Sequence, residues 1–114
     1  MKRTHWMWFV FPQIQGLGHS ATAQAFALKS LAEAKAYLEH PVLGARLRAC
    51  TQLVLNLEGR TAEQTFGATD AMKFRSSMTL FMRAAGAEHV FQDALVKYFG
   101  GEPDRLTLDI LEDL

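Results

Sequence analysis

The chain has 114 residues, the size of a single domain that can bury a core of its own. Its 12 basic and 12 acidic side chains give zero formal net charge, which argues against bulk electrostatic binding of nucleic acid. No run of about 18 apolar residues is present, so we expect no membrane-spanning helix. The single cysteine, Cys50, excludes an internal disulfide, and with no signal-peptide pattern it predicts a cytoplasmic location.

An unusually aromatic block opens the chain. From Trp6 to Phe11 every residue except Met7 is aromatic or β-branched. The block predicts a short buried helix that ends before Pro12, because proline forces the preceding residue into an extended conformation. It is interpreted either as the centre of the core or as the wall of a binding pocket.

A polar loop containing glycines follows the block, from Gln13 to Ser20. Gly16 and Gly18 permit positive φ and close backbone approach. Ser20 is a suitable N-cap for a helix over ATAQAFALK, and a helix N-terminus with free N–H groups can hold an anion. Two interpretations stay open: a loop before a capped helix, or the polar lip of a pocket.

Helix signals dominate the remainder of the chain. Ser30 with Glu33 forms a capping box, and Pro41 is predicted at the first position of the next helix. That helix carries an apolar stripe at spacings of three and four and is expected to stop at Gly59. The stripe consists of Leu43, Leu47, Cys50, Val54 and Leu57.

Further capping signals divide the second half into helices. Thr61 with Gln64 forms a second capping box, before a short turn that ends at Gly67. Helices are predicted from about residue 69 to residue 85, closed by Gly86, and from residue 88 to residue 99, closed by Gly100 and Gly101. Asp104 is expected to cap the last helix.

The fold class is therefore all-α, one compact domain of about six helices over residues 1–114. The predicted core includes Trp6, Phe9, Phe11, Phe26, Leu47, Val54, Phe74, Met78, Phe81, Phe91, Leu95 and Phe99.

A family resemblance rests on three stretches of the chain, which are HWMWFVFPQIQGLGHS, HPVLGARL and KFRSSMTLF. They resemble a bacterial family of unknown function whose members are sometimes labelled calpastatin-like. The resemblance covers nearly the whole chain. It implies an all-helical, compact, cytoplasmic domain without an established activity. Members of that family usually begin with an additional helix before the first stretch, which this chain lacks. The resemblance therefore implies an uncovered apolar surface, and we expect a homodimer through the region from Trp6 to Phe11.

The stretch KFRSSMTLF presents different faces when it is drawn as a helix. Phe74, Met78 and Phe81 share a core face, whereas Lys73, Ser76 and Ser77 form a polar strip. In one interpretation the small serines let another helix approach, with each hydroxyl bonded to the preceding turn. In the other, the strip lines a pocket and holds an anion. Arg75 and Thr79 lie on another face, from which they can reach a neighbouring loop.

These patterns favour a binding module for a small anionic ligand, with a nucleotide-like molecule as one candidate. The predicted ligand-binding residues are His5, Trp8, Gln13, Gly16, Gly18, Ser20, Lys73, Ser76 and Ser77. One alternative is an enzyme acting on such a ligand, with His5 or His19 as general base; another is a protein-interaction or dimerisation module. No cofactor is predicted, and no metal site either, because no two histidines stand four residues apart and there is one cysteine.

Overall fold

The computed structural model describes residues 10–17 and 21–113, apart from the side chain of Thr22. This part of the chain is all-α, as predicted, and contains seven helices. Their bounds are α1 Ala21–Phe26, α2 Leu31–Glu39, α3 Leu43–Leu55, α4 Ala62–Phe66, α5 Ala68–Ala85, α6 Val90–Phe99 and α7 Arg105–Glu112. The described residues contain no strand; one isolated parallel bridge joins Ile14 to Leu28.

The longest helix, α5, lies at the centre of the fold. It packs against α2, α4, α6 and α7, while α3 packs against α2 and α6. Phe74 and Phe81 on α5 are fully buried, as is Phe91 on α6. The core face predicted for KFRSSMTLF is therefore confirmed. The predicted core members that are buried in the described part of the chain are Phe11, Leu47, Val54, Phe74, Met78, Phe81, Phe91 and Leu95.

Phe26 was wrongly assigned to the core: it is 47% exposed. The helix predicted over ATAQAFALK ends at Phe26, because Leu28 turns away to bridge Ile14. Phe99 is only partly buried. Leu57 lies beyond the end of α3 and is 37% exposed, so it does not extend the stripe. Trp6 and Phe9 lie outside the described residues.

Of the capping predictions at the N-termini of three helices, two are confirmed in full and one in part. Thr61 and Gln64 form a complete capping box on α4. Asp104 accepts a hydrogen bond from the backbone N–H of Thr107 at 2.9 Å and so caps α7. Ser30 accepts from the N–H of Glu33, but the Glu33 carboxylate accepts from the N–H of Lys29 instead of Ser30, so that capping box is only half formed.

The start of α3 differs from the prediction because histidine, not proline, organises it. Pro41 precedes the helix, which begins at Leu43. His40 Nδ1 accepts hydrogen bonds from the backbone N–H groups of Val42 and Leu43, at 3.2 and 3.1 Å. These two N–H groups are among the donors that a helix start leaves without intrahelical partners. His40 therefore acts as a side-chain cap.

The end of α3 is held by a neighbouring helix. Lys97 on α6 donates to the carbonyl oxygens of Leu55 and Leu57, and the Tyr98 hydroxyl donates to that of Val54. The last carbonyls of a helix lack intrahelical partners, and a cation interacts favourably with them. These contacts end the helix at Leu55, before the stop predicted at Gly59.

Candidate functional site

A short segment after the aromatic block is fixed against the chain after α1. Leu28 donates its N–H to the carbonyl of Gln13 at 2.9 Å, and Gln15 donates to the carbonyl of Leu28 at 2.7 Å. The Phe11 ring packs edge-on against Phe74 of α5, with ring centroids 4.9 Å apart. The backbone of Gln13 is therefore held on both sides, and its side chain is buried, with 2% of the residue exposed.

One face of α5 provides the second wall of a pocket, whose first wall is the segment that contains Gln13. Thr69, Met72, Lys73 and Ser76 follow one another at spacings of three, one and three, which places them on one side of the helix. The Ser76 hydroxyl donates to the carbonyl of Met72 at 3.1 Å. Lys73 Nζ lies 3.5 Å from a carboxylate oxygen of Asp70, one turn earlier.

The third wall is the start of α7, which α5 positions through Thr79. The Thr79 hydroxyl accepts a hydrogen bond from the N–H of Asp104 and donates to the carbonyl of Arg75, both at 2.8 Å. Arg75 in turn donates from Nε to the carbonyl of Glu102 at 2.9 Å. The prediction that Arg75 and Thr79 reach a neighbouring loop is confirmed: they fix the connection between α6 and α7.

These three walls enclose a pocket of about 220 Å³, which we call the amide pocket. It is lined by Gln13, Leu17, Thr69, Met72, Lys73, Ser76, Asp104 and Leu106. Met72 and Leu106, which are 67% and 55% exposed, place apolar surface at its opening. The amide pocket thus combines one cation, one carboxylate and one amide with an apolar wall.

The distinctive group of the amide pocket is the side-chain amide of Gln13. Its Nε2 atom is buried and has no hydrogen-bond partner in the described part of the chain. Buried polar atoms are almost always paired, and an unpaired one costs roughly 1–3 kcal/mol. Gln13 is also one of the residues that line the amide pocket.

The comparisons with known proteins place the chain in a family. A family described as "Protein of unknown function (DUF1810)" matches residues 1–111. The chain belongs to this family. A solved structure, that of the conserved hypothetical protein Rv1873 from Mycobacterium tuberculosis, is 52% identical in sequence with a TM-score of 0.93. The match covers 97% of this chain and 79% of that one. No curated protein matches.

Two of the stretches on which the sequence resemblance rests have distinct roles in this fold. KFRSSMTLF supplies core residues, the Lys73 and Ser76 wall of the amide pocket, and the Arg75 and Thr79 contacts that hold α7. HPVLGARL supplies the His40 cap and a buried glycine, Gly44, where the end of α2 meets α3. A Cβ atom on Gly44 would stand 2.0 Å from the carbonyl oxygen of Leu38. The close approach of these two helices therefore requires glycine.

The structure brings three of the predicted site residues together: Gln13, Lys73 and Ser76 line one pocket. Ser77 does not join them. It is fully buried, and its hydroxyl has no hydrogen-bond partner among the described residues, so it does not bond to the preceding turn either. Gly16 has the predicted positive φ, 109°, but it lies against Ile110 of α7 and does not line the amide pocket.

The remaining predicted site residues, His5, Trp8, Gly18 and Ser20, lie outside the described residues. So does His19, the other histidine considered as a general base. The predicted homodimer depends on Trp6 and Trp8 and stays a prediction. Phe11, at the end of that block, is buried within the chain itself. The helix that follows Ser20 has only six residues and sums few peptide dipoles, so no anion site is assigned to its start.

Sequence reasoning missed five pocket residues: Leu17, Thr69, Met72, Asp104 and Leu106. The helical spacing of Thr69 and Met72 relative to Lys73 was a usable signal. Asp104 was recognised only as a helix cap. Its place in the pocket depends on the contact between the α6–α7 connection and Thr79, which no local pattern predicts.

The described residues contain no group of three or more His, Cys, Asp and Glu side chains that could hold a metal ion. None of the helices described above is long and apolar enough to cross a bilayer.

Proposed function

We propose that this protein binds a small anionic ligand in the amide pocket. The observation that carries the proposal is that Gln13, a residue lining the pocket, has a buried Nε2 atom with no hydrogen-bond partner among the described residues. An amide NH₂ group is a donor, so its natural partner is an acceptor oxygen. A ligand oxygen would relieve the cost of the unsatisfied amide, which the ligand-free protein bears.

Lys73 favours an anionic oxygen over a neutral carbonyl. Its ammonium group lines the same pocket, and its contact with Asp70 is long, at 3.5 Å. A hydrogen bond that involves a charged partner is about twice as strong as one between neutral groups. A carboxylate or phosphate oxygen that meets both Gln13 and Lys73 would therefore bind more strongly than a carbonyl.

The volume of the amide pocket favours a ligand smaller than a nucleotide. An apolar cavity of about 150 Å³ accepts benzene. The 220 Å³ of the amide pocket therefore accommodates on the order of ten non-hydrogen atoms. A whole nucleotide would extend out of the opening, past Met72 and Leu106. A short carboxylate with an apolar body fits the volume and the lining.

Thermal unfolding with a panel of anions tests the proposal. The panel contains acetate, hexanoate, inorganic phosphate and AMP, measured against wild type and Lys73→Ala. We expect at least one anion to raise the melting temperature of wild type and to lose most of this effect in Lys73→Ala. The melting temperature without ligand should change little, because the Lys73–Asp70 pair contributes at most about 1 kcal/mol.

Lys29→Ala is the matched control, since it removes the same charge from an exposed residue that does not line the amide pocket. It should keep the full anion effect. The proposal is contradicted if no anion stabilises wild type, or if Lys73→Ala and Lys29→Ala respond alike.

A further inference from the structure

We infer that the ligand of the amide pocket is a small zwitterion, which places a carboxylate at Gln13 and Lys73 and an ammonium group at Asp104. The inference rests on the proposed function, because both use the same pocket. It adds the second charge of the ligand and therefore names its chemical class: short amino acids whose two charged groups are separated by an apolar chain.

The first observation is that Asp104 lines the pocket with a carboxylate that has no ion-pair partner in the part of the chain that the structure describes. Its Oδ2 accepts from the N–H and the hydroxyl of Thr107, at 2.9 and 2.7 Å. Oδ1 accepts no hydrogen bond from the described residues, and no Lys or Arg among them forms an ion pair with Asp104. The carboxylate is thus held in place while one of its oxygens remains available.

The second observation is that the two charged residues of the pocket are anchored at different positions along α5. Asp104 is anchored by its N–H to Thr79, whereas the Lys73 ammonium lies beside Asp70. Thr79 is six residues after Lys73, which corresponds to a rise of about 9 Å along the helix axis. A ligand that meets both charges must therefore carry its own charges several ångströms apart.

The third observation is the apolar surface that accompanies the two charges. Leu17, Met72 and Leu106 contribute it. Methylene groups of a ligand are stabilised when they are buried against this apolar surface. A chain of methylenes that carries a carboxylate and an ammonium group matches the lining in its chemistry.

Ligands with a single charge fit less well. A pure anion of the same length would leave the Asp104 carboxylate beside an apolar or negative group. A pure cation would leave the Gln13 amide without an acceptor and would face the Lys73 ammonium. The zwitterion alone satisfies the donor, the cation and the carboxylate together.

The test compares 6-aminohexanoate with heptanoate, in which a methyl group replaces the ammonium group at equal chain length. Binding is followed by ¹H–¹⁵N NMR titration, with the side-chain NH₂ resonances of Gln13 as the reporter and Gln13→Met to assign them. Each ligand is titrated into wild type, Asp104→Asn and Asp109→Asn. Asparagine is as good an N-cap as aspartate, so Asp104→Asn keeps the start of α7. Asp109→Asn removes the same charge from the same helix at a residue that does not line the amide pocket.

We expect Asp104→Asn to weaken the binding of 6-aminohexanoate about three- to fivefold, the size of one partly exposed ion pair. The binding of heptanoate should be unchanged or stronger, and Asp109→Asn should leave both ligands as in wild type. If Asp104→Asn affects the two ligands equally while the Gln13 resonances still shift, the zwitterion inference is overturned and anion binding at the pocket stands. If heptanoate shifts the Gln13 resonances and 6-aminohexanoate does not, the inference is likewise overturned. If neither ligand shifts them and the anion panel gives no stabilisation, both the inference and the proposed function fail.

Discussion

Two pockets of nearly equal volume lie against opposite ends of α5, and they differ in how their polar groups are paired. The amide pocket, at the N-terminal end, has about 220 Å³. The other, which we call the arginine cleft, has about 230 Å³ and is lined by Lys35, Leu38, Glu39, Arg48, Ala84, Ala85 and Glu88. In the arginine cleft, Arg48 donates from Nε to Glu88 at 2.6 Å and from Nη1 to the carbonyl of Leu38 at 3.1 Å.

This difference shows why volume alone does not identify a binding site. The guanidinium in the arginine cleft is already bonded to a carboxylate and a helix-end carbonyl, so it joins α2, α3 and the turn before α6. The amide nitrogen of Gln13, a residue that lines the amide pocket, is buried and has no hydrogen-bond partner among the described residues. A charged group that already has its partners stabilises the fold, whereas a buried polar group without a partner leaves binding energy for a ligand.

The largest expected loss of stability comes from a substitution in the core around α5, the helix that both pockets border. Phe81 is fully buried on α5, with ring centroids 5.6 Å from Tyr37 and 5.7 Å from Phe91. Phe81→Ala should lower the free energy of unfolding by roughly 3–5 kcal/mol, measured by urea denaturation, and Phe74→Ala should be similar. Phe26→Ala is the control, because that ring is 47% exposed, and its effect should be much smaller. Equal effects for Phe81 and Phe26 would show that the core is wrongly placed.

The next largest loss of stability is expected at the contact between α2 and α3, two helices that line the arginine cleft. Gly44→Ala puts a Cβ against the Leu38 carbonyl and should cost roughly 2–3 kcal/mol, because backbone cannot move aside easily. Gly100→Ala serves as the reference for pure backbone strain: its φ is 64°, and a Cβ there meets nothing within 4 Å. That variant should cost about 1–2 kcal/mol. Urea midpoints that rank Gly100→Ala as the more damaging change would contradict the close approach.

A smaller change in stability is expected only at alkaline pH, and it tests the burial of the two tyrosines, Tyr37 and Tyr98. Burial raises the pKa of Tyr37, an effect only partly opposed by Arg46, and burial also raises the pKa of Tyr98. The folded protein therefore keeps protons that the unfolded chain loses near pH 10, so stability should fall as the pH rises above about 10. Phenolate absorbance in native protein should appear at higher pH than in urea, and Tyr37→Phe and Tyr98→Phe should each remove one titration. Coincident native and denatured curves would mean that neither phenol is buried as described.

Much of the fold was predictable because its signals are local. Capping residues and glycines marked most helix ends, and the spacing of Phe74, Met78 and Phe81 marked the core face. Predictions were wrong where a distant contact decides the outcome. The early end of α1 depends on the bridge between Ile14 and Leu28, and the end of α3 depends on Lys97 from another helix.

The candidate site was predictable only in part, for the same reason. Lys73 and Ser76 share a helix face, and Gln13 stood out as a polar residue after an aromatic block. That these two regions meet depends on the packing of Phe11 against Phe74, and the role of Asp104 depends on Thr79. Such contacts join residues far apart in sequence, which single-sequence patterns do not reveal.

The most direct test of the central claim is the stability of Gln13→Met without any ligand. Methionine has a similar volume and no polar group, so it removes the unpaired amide without creating a cavity. Urea denaturation should give a free energy of unfolding equal to wild type or higher by up to about 1 kcal/mol, while stabilisation by anions disappears. Gln15→Met, on an exposed residue two positions along, should change neither property. A loss of more than about 1 kcal/mol in Gln13→Met would mean that the amide is part of the folded scaffold and not a free donor for a ligand.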